Sequence, residues 1–214
     1  MYWRLHPTLN ACIASGRLIL LDIERDRYSA LPDEVAARAM IWMRAADGSA
    51  APEALAILLG VARDGRTLGN DKPESVAVPS AVVPHPRSAR VSLPQIISVC
   101  LTVTATWIAL RSRRLQAILD RRAQAREAAS RADDETIAER SRTFTNARRW
   151  CPIKPNCLVD SLALDRWLGV PQVVRLVFGV HGHPFEAHCW LQSDTSILND
   201  SYDRVSRFEP ILRV

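Results

Sequence analysis

Apolar positions in the first 31 residues come in short runs separated by turn formers. The pattern predicts strands at 9–14, 18–23 and 27–31, with turns at Ser15-Gly16 and over 24–26. A helical period follows. Pro32-Asp33-Glu34 opens a stretch through Val35, Ala39, Ile41, Trp42 and Ala45, with its acidic residues at the positive end of the helix dipole. Gly48-Ser49 breaks it, and a second helix is predicted over 52–61 through Leu55, Leu58 and Leu59. Periodicity then lapses across 63–94, where Pro73, Pro79, Pro84, Pro86 and Pro94 indicate an extended linker. Such a tether would raise the effective concentration of anything captured at one end near the other.

Residues 91–110 are twenty positions without a charge, followed by Arg111, Arg113 and Arg114. Length alone would allow a membrane span. Ser92, Pro94, Gln95, Ser98, Thr102, Thr104 and Thr106 are too many polar side chains for one, so a helix of a globular domain is expected, with no membrane insertion. The same helix is predicted to run on through Leu115, Ile118 and Leu119 to about 129. Another helix spans 134–148, with Thr136, Ile137, Phe144 and Trp150 on its packing side. The arginines over 111–149 are expected as a solvated face that can also meet an acidic partner.

The chemistry concentrates further on. From Cys157, apolar residues at 158, 162, 164, 167 and 168 keep a helical period, with Pro155-Asn156 as the start signal and Gly169 and Pro171 as the stop. Cys157 therefore occupies the first helical position, where unpaired N–H groups and the dipole favour a thiolate and can also hold an oxyanion. Two strands follow, 172–180 and 185–192, joined by a hairpin loop at His181-Gly182-His183-Pro184. Alternation puts His188 and Trp190 on one face and Ala187, Cys189 and Leu191 on the other. A turn at Asp194-Thr195-Ser196 and a third strand at 197–200 would fold back antiparallel. His188 and Asp200 are each six residues from Asp194, so pairing would set the carboxylate beside the imidazole. A thiol, a ring to take its proton and an acid to steady the ring are the parts of nucleophilic catalysis.

Zinc is the rival chemistry, because Cys151, Cys157, His181, His183, His188 and Cys189 crowd one region. Their spacings are not those of a closed site, so no metal is expected. Cys151 and Cys157 also lack the Cys-x-x-Cys spacing of a redox pair.

The run Cys-Leu-x-x-Ser-Leu-Ala-Leu (157–164), Gly179-Val180, Pro-Phe-x-Ala-His-x-Trp (184–190) and Asn-Asp-Ser (199–201) resembles the B proteins of lasso-peptide biosynthesis. These are leader peptidases of the transglutaminase-like, microcin-processing family. The resemblance implies a Cys157, His188, Asp200 triad and hydrolysis of a leader from its precursor peptide without a cofactor. It also implies a partner, an ATP-dependent asparagine-synthetase-like cyclase that closes the macrolactam on the freed core N-terminus. Cys189 stands where relatives often carry a small residue and is given no chemistry. The second oxyanion donor is not indicated.

The N-terminal pattern resembles the recognition-element domain of ribosomal peptide biosynthesis, a small winged-helix-like fold. There a leader adds as a strand to a sheet edge, which here implies Arg27, Tyr28, Ser29, Ala30 and Leu31. The expected architecture is α+β: a leader-recognition domain at 1–65, a linker at 66–93, and a papain- or transglutaminase-like cysteine protease domain at 94–214.

Composition changes this picture little. At 48% hydrophobic and 24% charged the 214-residue chain is that of an ordinary globular protein, and its net charge of +5 suits an acidic peptide or nucleic acid. No Lys/Arg-rich recognition helix is visible, so nucleic acid is not the expected partner. Five cysteines without regular spacing argue against a disulfide framework and, with no apolar signal segment near the N-terminus, for a cytoplasmic protein. Residue types do not separate a peptidase from an acyltransferase, which passes the same acyl group to an amine, or from a leader-delivery protein with a vestigial site.

Overall fold

The computed structural model describes residues 8–37, 78–84, 90–129 and 133–214. Its N-terminal part is a three-stranded antiparallel sheet, β1 (Leu9–Ala14), β2 (Arg17–Asp22) and β3 (Arg27–Ala30), in that spatial order. The first turn is a two-residue hairpin with Ser15 and Gly16 both at positive φ (51° and 75°), the geometry that matches strand twist. The second is closed by Asp22, whose carboxylate accepts from the Arg25 N–H and guanidinium. Leu18, Ile19, Leu20 and Leu21 are all buried, so β2 is covered on both faces, which accounts for its unbroken apolar run. Residues 33–37 begin a helix. The rest of that expected helix, to 45, and the second one at 52–61 lie outside the described residues.

The C-terminal part is mixed α and β. Its helices are α1 (Leu93–Ser112), α2 (Leu115–Glu127), α3 (Asp134–Arg148), α4 (Cys157–Leu168) and the single turn α5 (Tyr202–Val205). A five-stranded sheet holds β4 (Ala81–Val82), β5 (Arg175–His181), β6 (Glu186–Gln192), β7 (Ser196–Ile197) and β8 (Glu209–Arg213), in the order β4-β7-β6-β5-β8. Only the β4–β7 pair is parallel.

Two expectations are corrected here. The stretch at 66–93 is not linker throughout: β4 joins the sheet and Val83, donating to the Ile197 carbonyl, is buried. The Pro79 and Pro84 that flank this piece limit its length without preventing two residues from pairing. The helix from 93 does not run unbroken to 129, because Arg113 and Arg114 are both extended. The break lets α2 turn back and bury Leu115, Leu119 and Arg122.

Helix α1 starts with Ser92 and Gln95 bonded to each other across the first turn. The hydroxyls of Thr102, Thr104 and Thr106 each donate to the carbonyl four residues back, so its polar side chains are satisfied within the helix. Val99, Val103 and Thr106 pack inward toward α3 and α4, while Leu93, Ile97, Leu101 and Ile108 face outward. By length and composition α1 is apolar enough to cross a membrane.

Helix α4 lies on the sheet face formed by Leu176, Phe178, Val180, Cys189 and Leu191. It buries Val159, Leu162, Ala163, Leu164 and Leu168 there. At roughly 1.5–3 kcal/mol for each large side chain, burial rather than helix propensity fixes its place. Arg122 of α2 locks its far end, donating Nε and Nη2 to the two Asp165 oxygens at 2.9 Å each, with both side chains buried. The opposite sheet face packs Val177, Trp190 and Ile197 with Val205 and Phe208. The N-terminal sheet joins the same main core through Ala14, Ile19, Leu21 and Ile23, with β1 lying against β8.

Candidate functional site

The site forms where the start of α4 meets an unpaired stretch of β6. Neighbouring β7 pairs with β6 only at Gln192, and the Leu198 N–H just past it still donates to the Leu191 carbonyl, but from 190 back to 187 that edge of β6 has no strand beside it. Side chains occupy the vacancy. The Cys157 sulfur comes within electrostatic reach of the Cys189 N–H, and the Ser161 hydroxyl donates to the Cys189 carbonyl at 3.1 Å. Asn199 continues the row: its Oδ1 accepts from the Leu191 N–H at 2.8 Å and its Nδ2 donates to the Ser161 hydroxyl at 2.8 Å. A helix end thus does what a partner strand would do, and buried backbone groups stay satisfied.

Local sequence explains the thiol's position. Asn156 is extended and caps α4, its Oδ1 accepting from the Leu158 and Val159 N–H groups at 3.1 Å each. Asp160 donates its N–H to the Asn156 carbonyl. Arg148 ties the preceding loop down, reaching the Asp160 carboxylate at 2.7 Å and the Ile153 carbonyl at 2.9 Å. Cys157 is left at the first helical position with its sulfur half-buried and aimed at β6.

His188 is 4% exposed and sits between Trp190 and Phe208, with ring centroids at 6.1 and 5.1 Å. Gly179, its partner on β5, gives these rings room: a Cβ there would meet Trp190 at 2.7 Å and Phe208 at 2.9 Å. The His188 Nε2 lies 2.6 Å from Asp200 Oδ2, and the ring is close enough to the Cys157 thiol for each to shift the other's charge. The other Asp200 oxygen accepts from the Ser201 N–H at 2.7 Å, and Arg204 lies 4.0 Å away. The three residues named from the sequence are therefore brought together, in the order thiol, ring, carboxylate.

Their charges reinforce one another. Burial alone would raise the Cys157 pKa, but the hydrogen bond with His188, the charge of that ring and the N–H groups of Cys189 and Leu158 bring it below the ordinary thiol value. Burial pulls His188 down, yet its hydrogen bonds to Asp200 and Cys157 and the charges of both push it up to about 9. Burial would lift Asp200, and His188, the Ser201 N–H and Arg204 outweigh that. The arrangement favours a thiolate beside an imidazolium, and the thiolate can attack a polarised carbonyl.

Cys189 is 3% exposed, and burial holds its thiol well above the usual range; its contribution is the backbone N–H. Ser161 and Asn199 carried no assigned role in the sequence reading. Ser161 is one turn past Cys157, which puts it on the same helix face, and that spacing is the signal for it. The third strand expected at 197–200 is shorter, β7 ending at Ile197, and in the bend that follows Asn199 turns to β6 and Ser161 while Asp200 turns to His188.

Of the five positions expected to bind a peptide, Leu31 is buried and donates its N–H to Leu18 of β2, while Arg27, Ser29 and Ala30 are exposed. Tyr28 is half-buried, its ring 5.5 Å from Phe185 in the β5–β6 loop. Burial and the charges of Cys189, Asp26 and Cys157 raise its hydroxyl pKa, which puts β3 within electrostatic reach of the thiol. Contact between the two parts is close at Gly182, whose N–H donates to the Ser15 hydroxyl at 3.3 Å and where a Cβ would collide with the Ala14 carbonyl.

A family model described as the transglutaminase-like superfamily matches residues 100–213, just over half of the chain. No match to a curated protein or to a solved structure was found.

Proposed function

From the premise that the chain belongs to the transglutaminase-like superfamily, we propose that it is a cysteine peptidase that removes the leader from a ribosomally made lasso-peptide precursor. The single observation that carries this is the Cys157–His188–Asp200 arrangement at the capped start of α4. Cys157 is the nucleophile, His188 the proton carrier and Asp200 the residue that orients the ring.

In the first half-reaction the thiolate adds to the scissile carbonyl carbon. Of the first four N–H groups of α4, Asn156 engages three, through its side chain and its carbonyl, which leaves that of Cys157 to receive the oxyanion. With Nε2 committed to Asp200, Nδ1 is the His188 nitrogen that passes a proton to the departing amine. An acyl-enzyme remains on Cys157. His188, now neutral, takes a proton from water, which adds to the thioester and releases the leader as an acid.

The free edge of β3 supports the binding half of the proposal. Because the Leu31 N–H points to β2, alternation turns the N–H and C=O groups of Tyr28 and Ala30 the other way, to an edge with no strand beside it among the described residues. A leader strand added there would pass the Tyr28–Phe185 contact on its way to Cys157. On this reading the domain boundaries are 1–65 for recognition and 94–214 for cleavage. The freed core then passes to a separate ATP-dependent asparagine-synthetase-like cyclase.

The test uses the purified chain and a synthetic leader–core peptide. Cleavage that is abolished in Cys157→Ala, with leader affinity unchanged, supports the proposal. Equal binding without cleavage by either protein would make this a delivery protein. Transfer of the acyl group to an added amine in preference to water would make it an acyltransferase.

A further inference from the structure

We infer that Cys100 and Cys151 are a site of reversible oxidation to an intramolecular disulfide, separate from the Cys157 centre. Their sulfurs lie 2.8 Å apart although 51 positions separate them in the chain. Cys100 is in the first half of α1, and Cys151 follows the end of α3, where its N–H donates to the Arg148 carbonyl. Both are half-buried rather than sealed in the core as Cys189 is, so a small oxidant can reach them. A disulfide holds its sulfurs about 2.05 Å apart, so closing this one brings the two sulfurs nearer by less than about 1 Å.

A low-molecular-weight disulfide such as oxidised glutathione is the co-reactant. One protein thiol, as thiolate, attacks a glutathione sulfur, and the expelled glutathione thiolate takes up a proton. The second protein thiol loses its proton and attacks the protein sulfur of the mixed disulfide, expelling the other glutathione. Two protein S–H bonds are replaced by one S–S bond, and one glutathione disulfide is reduced to two thiols. Burial, the hydrogen bond with Cys100 and its charge push Cys151 up to about 12, so the exchange is slow near neutral pH. Positioning, not thiol reactivity, favours the bond.

The consequence follows from where Cys151 stands. It opens the loop that leads to Asn156 and Cys157, which Arg148 already anchors at Ile153 and Asp160. A bond to Cys100 would fasten that loop to α1 and restrict the unfolded chain over 51 positions without disturbing the end of α4. One pair among five cysteines is not a framework, so the odd count is no obstacle.

The experiment uses the full chain with Cys157→Ala, so its result is independent of any peptidase activity. After treatment with oxidised glutathione, remaining thiols are alkylated under denaturing conditions and the digest is read by mass spectrometry. The expected result is a peptide pair joined through Cys100 and Cys151, with Cys12 and Cys189 alkylated. Tm should rise on the order of 10 °C, and dithiothreitol should undo both changes. Adding either Cys100→Ser or Cys151→Ser should remove the link and the rise, with circular dichroism confirming the fold. Alkylation of both Cys100 and Cys151, stable glutathione adducts on them, or links through Cys12 or Cys189 would overturn the inference.

Discussion

Two of the strand edges that lack a strand partner among the described residues, those of β6 and β3, are treated in opposite ways. At β6 the open backbone groups are taken up internally, by the Ser161 hydroxyl and the Asn199 amide, with the Cys157 sulfur beside them. At β3 the outward groups of Tyr28 and Ala30 meet no strand among the described residues. An edge satisfied from within holds side chains in register, which is what a reacting centre needs. An edge left open is a template for another chain. The difference teaches that one structural device can position chemistry or recruit a peptide, depending on whether the protein fills the vacancy itself.

The sharpest way to break the comparison is to disturb the filled edge at the acid. Asp200→Asn keeps the shape but removes the charge that holds the His188 proton. On the proposed reading kcat should fall roughly 10^3- to 10^4-fold, with leader affinity at β3 unchanged. The pH profile gives an independent check. A thiolate–imidazolium pair loses its proton as pH rises through the His188 value, so kcat/KM should decline above about 9. In Asp200→Asn that limb should move down toward the ordinary histidine value of about 6.5. The same proton contributes stability that is fully present below about 6.5 and lost as pH rises through about 9. An alkaline limb that stays put in the variant would remove Asp200 from the mechanism.

A smaller effect is expected from Asn199→Ala, which touches none of the three central groups. It leaves the Leu191 N–H without an acceptor and the Ser161 hydroxyl without its donor. The cost should be about 1–3 kcal/mol in unfolding free energy, read by denaturant melts. Hydrogen exchange at Leu191 should quicken. If exchange there is unchanged, water fills the edge as well as the side chain does, and the internal row is incidental.

Much of this was legible in the residues. Asn156 before an apolar helix, Gly169 after it and the alternation around His188 are local signals, and local capping and period decide those elements. The equal offsets of His188 and Asp200 from the turn pointed to their meeting but not to how it happens: β7 ends at Ile197, paired with Gln192, and Asp200 reaches the ring from the bend beyond it. Non-local features were not legible. A two-residue strand such as β4 has no period to detect, and its pairing with β7 depends on a partner more than a hundred positions away. Likewise β8 reads as an ordinary C-terminal segment until β5 is beside it. The approach of Cys100 to Cys151 depends on how α1 lies beside α3, which neither helix encodes alone. The aromatic contact of Tyr28 with Phe185 joins two regions whose patterns were read separately.

The smallest effect tests the open edge. In β3 the N–H groups of Leu31 and, by alternation, of Ser29 face β2, while that of Ala30 faces outward. Ala30→Pro therefore deletes a donor that has no strand partner among the described residues, at an exposed edge position where proline is tolerated. A leader strand docked there would lose one main-chain hydrogen bond, about 0.5–1.5 kcal/mol, or roughly 2- to 12-fold in Kd. Titration of a labelled leader peptide measures this directly. Cleavage of a short substrate that carries only the residues around the scissile bond should be unaffected, because its contacts lie at α4 and β6. The same substitution at Ser29 is the control, since it removes an N–H facing β2 and should lower stability whether or not a leader binds. Equal leader affinity in Ala30→Pro and the parent would move the recognition surface elsewhere on the chain. The filled edge would then stand as the only one of the two with a function.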